Sequence, residues 1–449
     1  MNVHTGKFVW SRLAGLGMVG LISAGASAQS LDDSIQAISG SASVFAGVAH
    51  SRADGANGAN STTEPSIGVS GSVGGGMRSG ANALDLRYSG TLEMERDLAN
   101  GGQSDSSSLV GATRFNHWDP ASPFDFNLGH TVNSVRNDTG FVANPSEYDT
   151  RHSLSGGAGL RVYRGELTEL RISGQAGRSY GEGDVGGDSS YTGSATLSRR
   201  LSERSSASLV GSRSISDESD TDTTIDSLQL SYNRVLETGS FGIGVGVSQA
   251  ETEYNDGTAS DYEAGTGFIT RSWMTPDSQT IVEYNRRLTD STIDLSLDVP
   301  EFLSFLPDSV RLTELVLTDS LSVAHNTTRL CDVCTLGFVI EGSVLESQLS
   351  ETRRHEYRTS ANLGVELTSL QTLTIGYTWQ GDAGEDAGTI EEQVHRINTR
   401  WTRELAENTS FSVDFTQSYL RSRVPGDDEE EFLLRLMFSH GFSLTNVGG

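Results

Sequence analysis

From about residue 38 to its C-terminus the chain repeats one pattern: roughly ten residues of alternating apolar and polar side chains, then a polar stretch. In Ala83–Glu95, "ALDLRYSGTLEME", Leu84, Leu86, Tyr88, Leu92 and Met94 share one parity, and Asp85, Arg87, Ser89, Thr91, Glu93 and Glu95 the other. The split recurs in "QTLTIGYTWQ" (371–380), "TSFSVDFTQSYL" (409–420) and "EFLLRLMFSHGF" (431–442). Side chains of successive strand residues point to opposite faces, so period two separates an apolar face from a polar one.

The connectors alternate as well. Short ones, such as Gly165–Leu167, Ser202–Arg204, Glu237–Gly239, Thr368–Leu370 and Ala406–Asn408, read as tight turns. Long ones are polar and acidic: Asn137–Thr150, Gly181–Ser189, Asp217–Thr224, Glu253–Asp261, Gly381–Glu392 and Arg421–Glu430. Dyad strands with short turns at one end and long loops at the other predict an all-β chain closed into a transmembrane antiparallel barrel. In lipid every backbone amide needs a partner, and a closed barrel supplies one to each strand. Counting segments gives about 20 strands, with 16 to 22 defensible. A secreted sandwich also alternates, but with less regular loops. A solenoid would need a fixed short period, which is not seen. Trp273, Trp379 and Trp401 fall near strand ends, as an interfacial girdle would. The region 290–312 carries Pro300 and Pro307 around an apolar cluster and predicts a long loop or a lumen insert.

Composition fits this picture. Only 35% of residues are hydrophobic, and mean hydropathy is −0.32. A barrel with a polar inner face tolerates that, because only alternate residues meet lipid. Lys7, Arg12, the apolar run 13–22 and Ala26-Ser27-Ala28 have the order of a secretory signal peptide, predicted to end at Ala28. A short periplasmic segment, 29–37, would then precede a barrel over 38–449, with no room there for a plug domain.

The formal net charge is −27, which opposes nucleic-acid binding. Lys7 is the only lysine, so Schiff-base and P-loop lysine chemistries are excluded from an exported chain. There is no G-x-S-x-G elbow and no H-E-x-x-H. The reading is therefore not an enzyme, with no catalytic residue, cofactor or resident metal assigned. The acidic stretches 216–224 and 426–432 could attract Ca²⁺, or share divalent ions with lipopolysaccharide phosphates, but neither has EF-hand spacing.

Strand parity selects the candidate lumen residues: Asp85, Arg87, Glu93, Asp125, Arg171, Arg358, Glu366, Arg396, Arg400, Asp414 and Arg435. Opposed arginines and carboxylates can set a transverse field that filters solutes, or merely neutralise one another on the wall. Gly242, Gly244 and Gly246 share the polar face of their strand, leaving space or permitting curvature. The two cysteines, Cys331 and Cys334, have C-x-x-C spacing. Thr335 stands where haem attachment needs histidine, and no second ligand pair suggests zinc. In an oxidising compartment the pair predicts a disulfide in a periplasmic turn.

The "RRL-polar-S" turns, the arginines late in strands ("LSRRL", "YNRRL", "TRWTREL") and the acidic loops resemble Gram-negative outer-membrane β-barrels. More loosely they resemble the porin-like barrels associated with exopolysaccharide and exosortase (PEP-CTERM) systems. The resemblance implies outer-membrane lipids and lipopolysaccharide as surroundings, and secretion and barrel-assembly machinery as partners in biogenesis. It leaves a homo-oligomer open. Such barrels usually end on an aromatic residue, whereas here Phe442 is followed by a tail to Gly449. The expected role is a conduit for small polar solutes or oligosaccharides; the alternative is a non-conducting structural or surface-interaction envelope barrel tied to exopolysaccharide export, and an outer-membrane enzyme is the more remote reading.

Overall fold

A computed structural model describes residues 35–443 except 56–57, 97, 99–102, 137–147, 182–187, 218–220, 255–256, 290–314, 332, 349–351, 386–387 and 425–427. The predicted signal peptide, the other residues before 35, the proline-bearing region 290–312 and the last six residues lie outside the described residues.

The first strands are β1 (Ile35–Gly55), β2 (Gly58–Ser79), β3 (Asn82–Arg96), β4 (Gln103–Trp118), β5 (Phe124–Arg136), β6 (Tyr148–Arg164) and β7 (Thr168–Gly181). Then come β8 (Ser189–Ser202), β9 (Ser205–Asp217), β10 (Thr221–Leu236), β11 (Gly239–Tyr254), β12 (Ala259–Thr275), β13 (Ser278–Thr289) and β14 (Val316–Thr327). The last are β15 (Cys334–Ser347), β16 (Arg353–Thr368), β17 (Gln371–Ala383), β18 (Glu392–Ala406), β19 (Thr409–Ser422) and β20 (Asp428–Ser443). Each pairs antiparallel with its sequence neighbours, and β1 also pairs with β20, from Ser39↔Ser443 to Asp54↔Asp428. The sheet is a closed, all-antiparallel barrel of 20 strands. At a strand spacing of about 4.8 Å and a tilt of about 40°, such a sheet closes at a backbone radius of about 20 Å.

Inside and outside follow from side-chain reach. Arg435 on β20 and Glu93 on β3 form an ion pair at 2.9 Å across the intervening β1 and β2. Only the concave side of a closed wall brings strands that far apart together, so this parity points inward. The opposite parity carries Val44, Ile67, Leu92, Leu228, Val245 and Phe438, all exposed. That outer apolar belt is the face a bilayer covers.

The strands run 12 to 22 residues, longer than the roughly 9–11 needed to cross a membrane. The extra length lies in stretches that read as loops from sequence. β9 and β10 leave only 218–220 between them, and β19 and β20 leave 423–427. Hairpin pairing continues because backbone amides beyond the lipid are still best satisfied by their neighbour.

Candidate functional site

All eleven parity-selected residues lie on strands, on the face shared with Glu93 and Arg435. They fall into separate groups. Glu93, Arg435, Asp414 and Arg400 cross the seam where the first strands meet the last. Arg400 grips Asp414 through two hydrogen bonds, 2.6 and 3.0 Å. Asp414 is the ladder partner of Arg435, which donates to both Glu93 oxygens at 3.0 and 2.9 Å. Charge therefore alternates in sign from β3 to β18. The span is possible because the wall beneath is small: Gly47 is the ladder partner of both Arg435 and Ser66, and Gly68 that of Glu93. The Phe45 ring covers Gly68, where a Cβ would collide with it. The Arg435 guanidinium stacks over that ring at 4.4 Å. Glu93 is 4% exposed, so this pair fastens the wall more than it meets solute.

Asp125 and Arg171 also pair, across Gly159, where a Cβ would meet both side chains. Asp85 and Arg87 are exposed on the inner face of β3 nearer the short turns, and Asp85 faces Arg114 across the ladder. Arg396 donates to Ser418 at 3.3 Å. Glu366 stands apart, exposed near the short-turn rim.

Arg358 belongs to a larger group that parity counting did not assemble. It faces Glu341 across the β15–β16 ladder, and Glu341 also lies within electrostatic reach of Arg287 and Glu283 on β13. Arg354, four residues before Arg358 on the same face of β16, pairs with Glu356 at 3.6 Å and Asp382 at 3.5 Å. Acids and arginines from β13, β15, β16 and β17 thus share one patch of the inner wall, toward the long-loop end.

Beside this patch the wall itself is broken. β12 pairs with β13 only from Gly267↔Arg286 to Thr275↔Ser278, leaving residues 259–266 in a backbone ladder with β11 alone. β13 and β14 continue together to Thr289↔Val316. Above the split, Leu288 and Leu317 have outward parity, yet Leu317 is 2% exposed. They pack, with Leu315, against Ile225, Ala250 and Ala264, which have inward parity on β10, β11 and β12. The described ends of β13 and β14 next to residues 290–314 form a crest that therefore leaves the wall and lies against the inner face of β10, β11 and β12, narrowing the lumen. The seam is closed by polar contacts. Arg286 Nε donates to the Gly265 carbonyl (3.0 Å), which β13 no longer reaches with its backbone. Arg286 and the Tyr284 hydroxyl each donate to Asp319 at 2.7 Å.

Other inner features escaped sequence reading. Phe268 has inward parity and covers Gly244, which accounts for part of the glycine row on β11. Arg151, buried near the long-loop end of β6, donates to Asp188 and Ser179, both at 2.8 Å. Cys331 and Cys334 are bonded to each other in the β14–β15 connection, with Cα atoms 5.3 Å apart. Among the described residues no group of three or more His, Cys, Asp and Glu side chains is arranged to hold a metal ion.

Neither a family of known sequences nor a curated protein matches the chain. Solved structures do resemble it. OccK2 (OpdF) of Pseudomonas aeruginosa aligns at 13% identity and a TM-score of 0.40, over 91% of this chain and 98% of that one. OccAB1 of Acinetobacter baumannii aligns at 9% identity and 0.39, over 93% and 100%. The FrpB iron transporter of Neisseria meningitidis, in its apoprotein form, aligns at 10% and 0.45, over 92% and 82%. At such identities the likeness concerns architecture alone, and the barrel itself rests on the ladders described above.

Proposed function

We propose that the chain is an outer-membrane channel of a Gram-negative bacterium, through which small polar solutes pass down their gradients. The observation that carries this reading is the contrast between the two faces. An apolar belt surrounds a wall whose inner side bears charged clusters around much of its circumference. A wall of about 20 Å radius leaves an aqueous lumen unless something fills it; barrels of 16–18 strands conduct and 22-stranded ones are plugged. The infolded β13–β14 crest narrows one side, and the Glu283–Arg287–Glu341–Arg358 patch beside it would meet whatever passes. Paired acids and arginines suit neutral, hydroxyl-rich or zwitterionic solutes, which can bond to both signs, over a strongly charged ion. Oligosaccharides are the class to try first, given the sequence resemblance to barrels tied to exopolysaccharide systems.

Proteoliposomes carrying the folded chain should swell in isotonic mono- and disaccharide, more slowly as the sugar grows. Vesicles with heat-unfolded protein should not. Equal rates for folded and unfolded protein would instead favour a sealed envelope barrel.

A further inference from the structure

The outer belt is not uniform. On β6 to β9 it drops to a floor of Gly156, Ala158, Gly174, Ala176, Gly193 and Gly211, all at outward parity on adjacent strands. Phe126, Leu128, Tyr191, Ile172 and Leu228 stand around it, leaving two adjoining grooves of about 660 and 700 Å³ that share Gly193 and Arg213. Other parts of the belt carry Val69, Leu92, Leu436 and Phe438. The floor also runs into charge. One ladder row passes Ala158, Gly174 and Gly193, and continues through Arg213, Asp226 and Gln249. Arg213 and Asp226 lie 3.6 Å apart, yet 63% and 54% of their side chains remain exposed on the face that elsewhere meets lipid.

We infer that this face docks a second copy of the same chain, related by a two-fold axis along the membrane normal. Glycine and alanine let two barrel walls approach closely, as small residues do between membrane segments. An isologous contact presents the same patch from both sides. Arg213 of each copy then meets Asp226 of the other, and the pairing becomes a four-charge ring removed from lipid. The mixed signs favour this occupant over an anionic lipid. A phosphate head at Arg213 would face the Asp226 carboxylate, and an acyl chain in the groove would leave Arg213, Asp226 and Gln249 against hydrocarbon, which is unfavourable on a barrel's lipid face. The inference does not depend on whether the barrel conducts.

The test uses the full chain, extracted in mild detergent and sized by sedimentation, with heat-modifiable gel mobility to confirm folding. Wild type should have twice the monomer's protein mass. G193W should be monomeric and still folded, because a Cβ added at Gly193 meets no heavy atom within 4 Å in the single barrel and the position faces outward. R213D should weaken the dimer at least tenfold, and R213D/D226R should restore it. A wild-type monomer, with or without co-purified lipid, would overturn the inference, as would a folded G193W of unchanged mass. If G193W fails to fold, R213D decides, and a wild-type dissociation constant for it would be equally fatal.

Discussion

Arg435 and Glu93 lie 342 positions apart in sequence, yet their contact helps to hold the first strands to the last. Such a pair is worth more than an exposed ion pair because Glu93 is buried and hydrogen-bonded through both oxygens. Glu93→Gln should lower stability by about 1–3 kcal/mol. The readout is the temperature at which the folded gel band disappears. In a double-mutant cycle with Arg435→Met the two losses should be clearly non-additive; simple additivity would mean that the contact carries no coupling. At the other end of the barrel, Cys331 and Cys334 should take up no maleimide before reduction and two after it. Labelling of both thiols in unreduced, folded protein would contradict the bond. Much at this scale was legible beforehand, since strand parity alone puts Glu93, Asp414 and Arg435 on one face. What parity cannot show is how far a side chain reaches across neighbouring strands, because that depends on which of them carry glycine. Phe45 over Gly68, and Phe268 over Gly244, reverse the rule that aromatics face lipid, and only the paired strand reveals the space they fill.

Among the elements, the β13–β14 hairpin departs most from the regular wall. Its sequence did carry a signal: Leu315, Val316 and Leu317 are consecutive and apolar, a break in alternation that fits a segment buried on both sides. The alternation of the other strands hid it, since the pattern counts strands without saying which one leaves the sheet. The infolded crest depends on leucines packed against Ile225, Ala250 and Ala264. Leu317→Ala should cost about 2–5 kcal/mol if that contact is as tight as a soluble core. Leu317→Asp should release the crest, widen the lumen and raise single-channel conductance above wild type. Unchanged conductance in a folded L317D barrel would mean that the crest does not restrict passage.

For the whole molecule, closure between β1 and β20 makes one wall from local hairpins, which is why the strand count followed from the repeat while the register at the closing seam did not. A formal charge of −27 should enrich cations at the mouths of the barrel. The reversal potential in a potassium chloride gradient should therefore favour potassium at low ionic strength, and the preference should fade as salt rises and the Debye length falls from about 10 Å at 0.1 M to about 3 Å at 1 M. The central claim is that the lumen is open to solute, and recording from single folded barrels in a planar bilayer tests it most directly. Stepwise insertions, each adding the same ohmic conductance and absent for heat-unfolded protein, are the predicted result; barrels that insert and keep their folded gel mobility but pass no current at any salt concentration would contradict it.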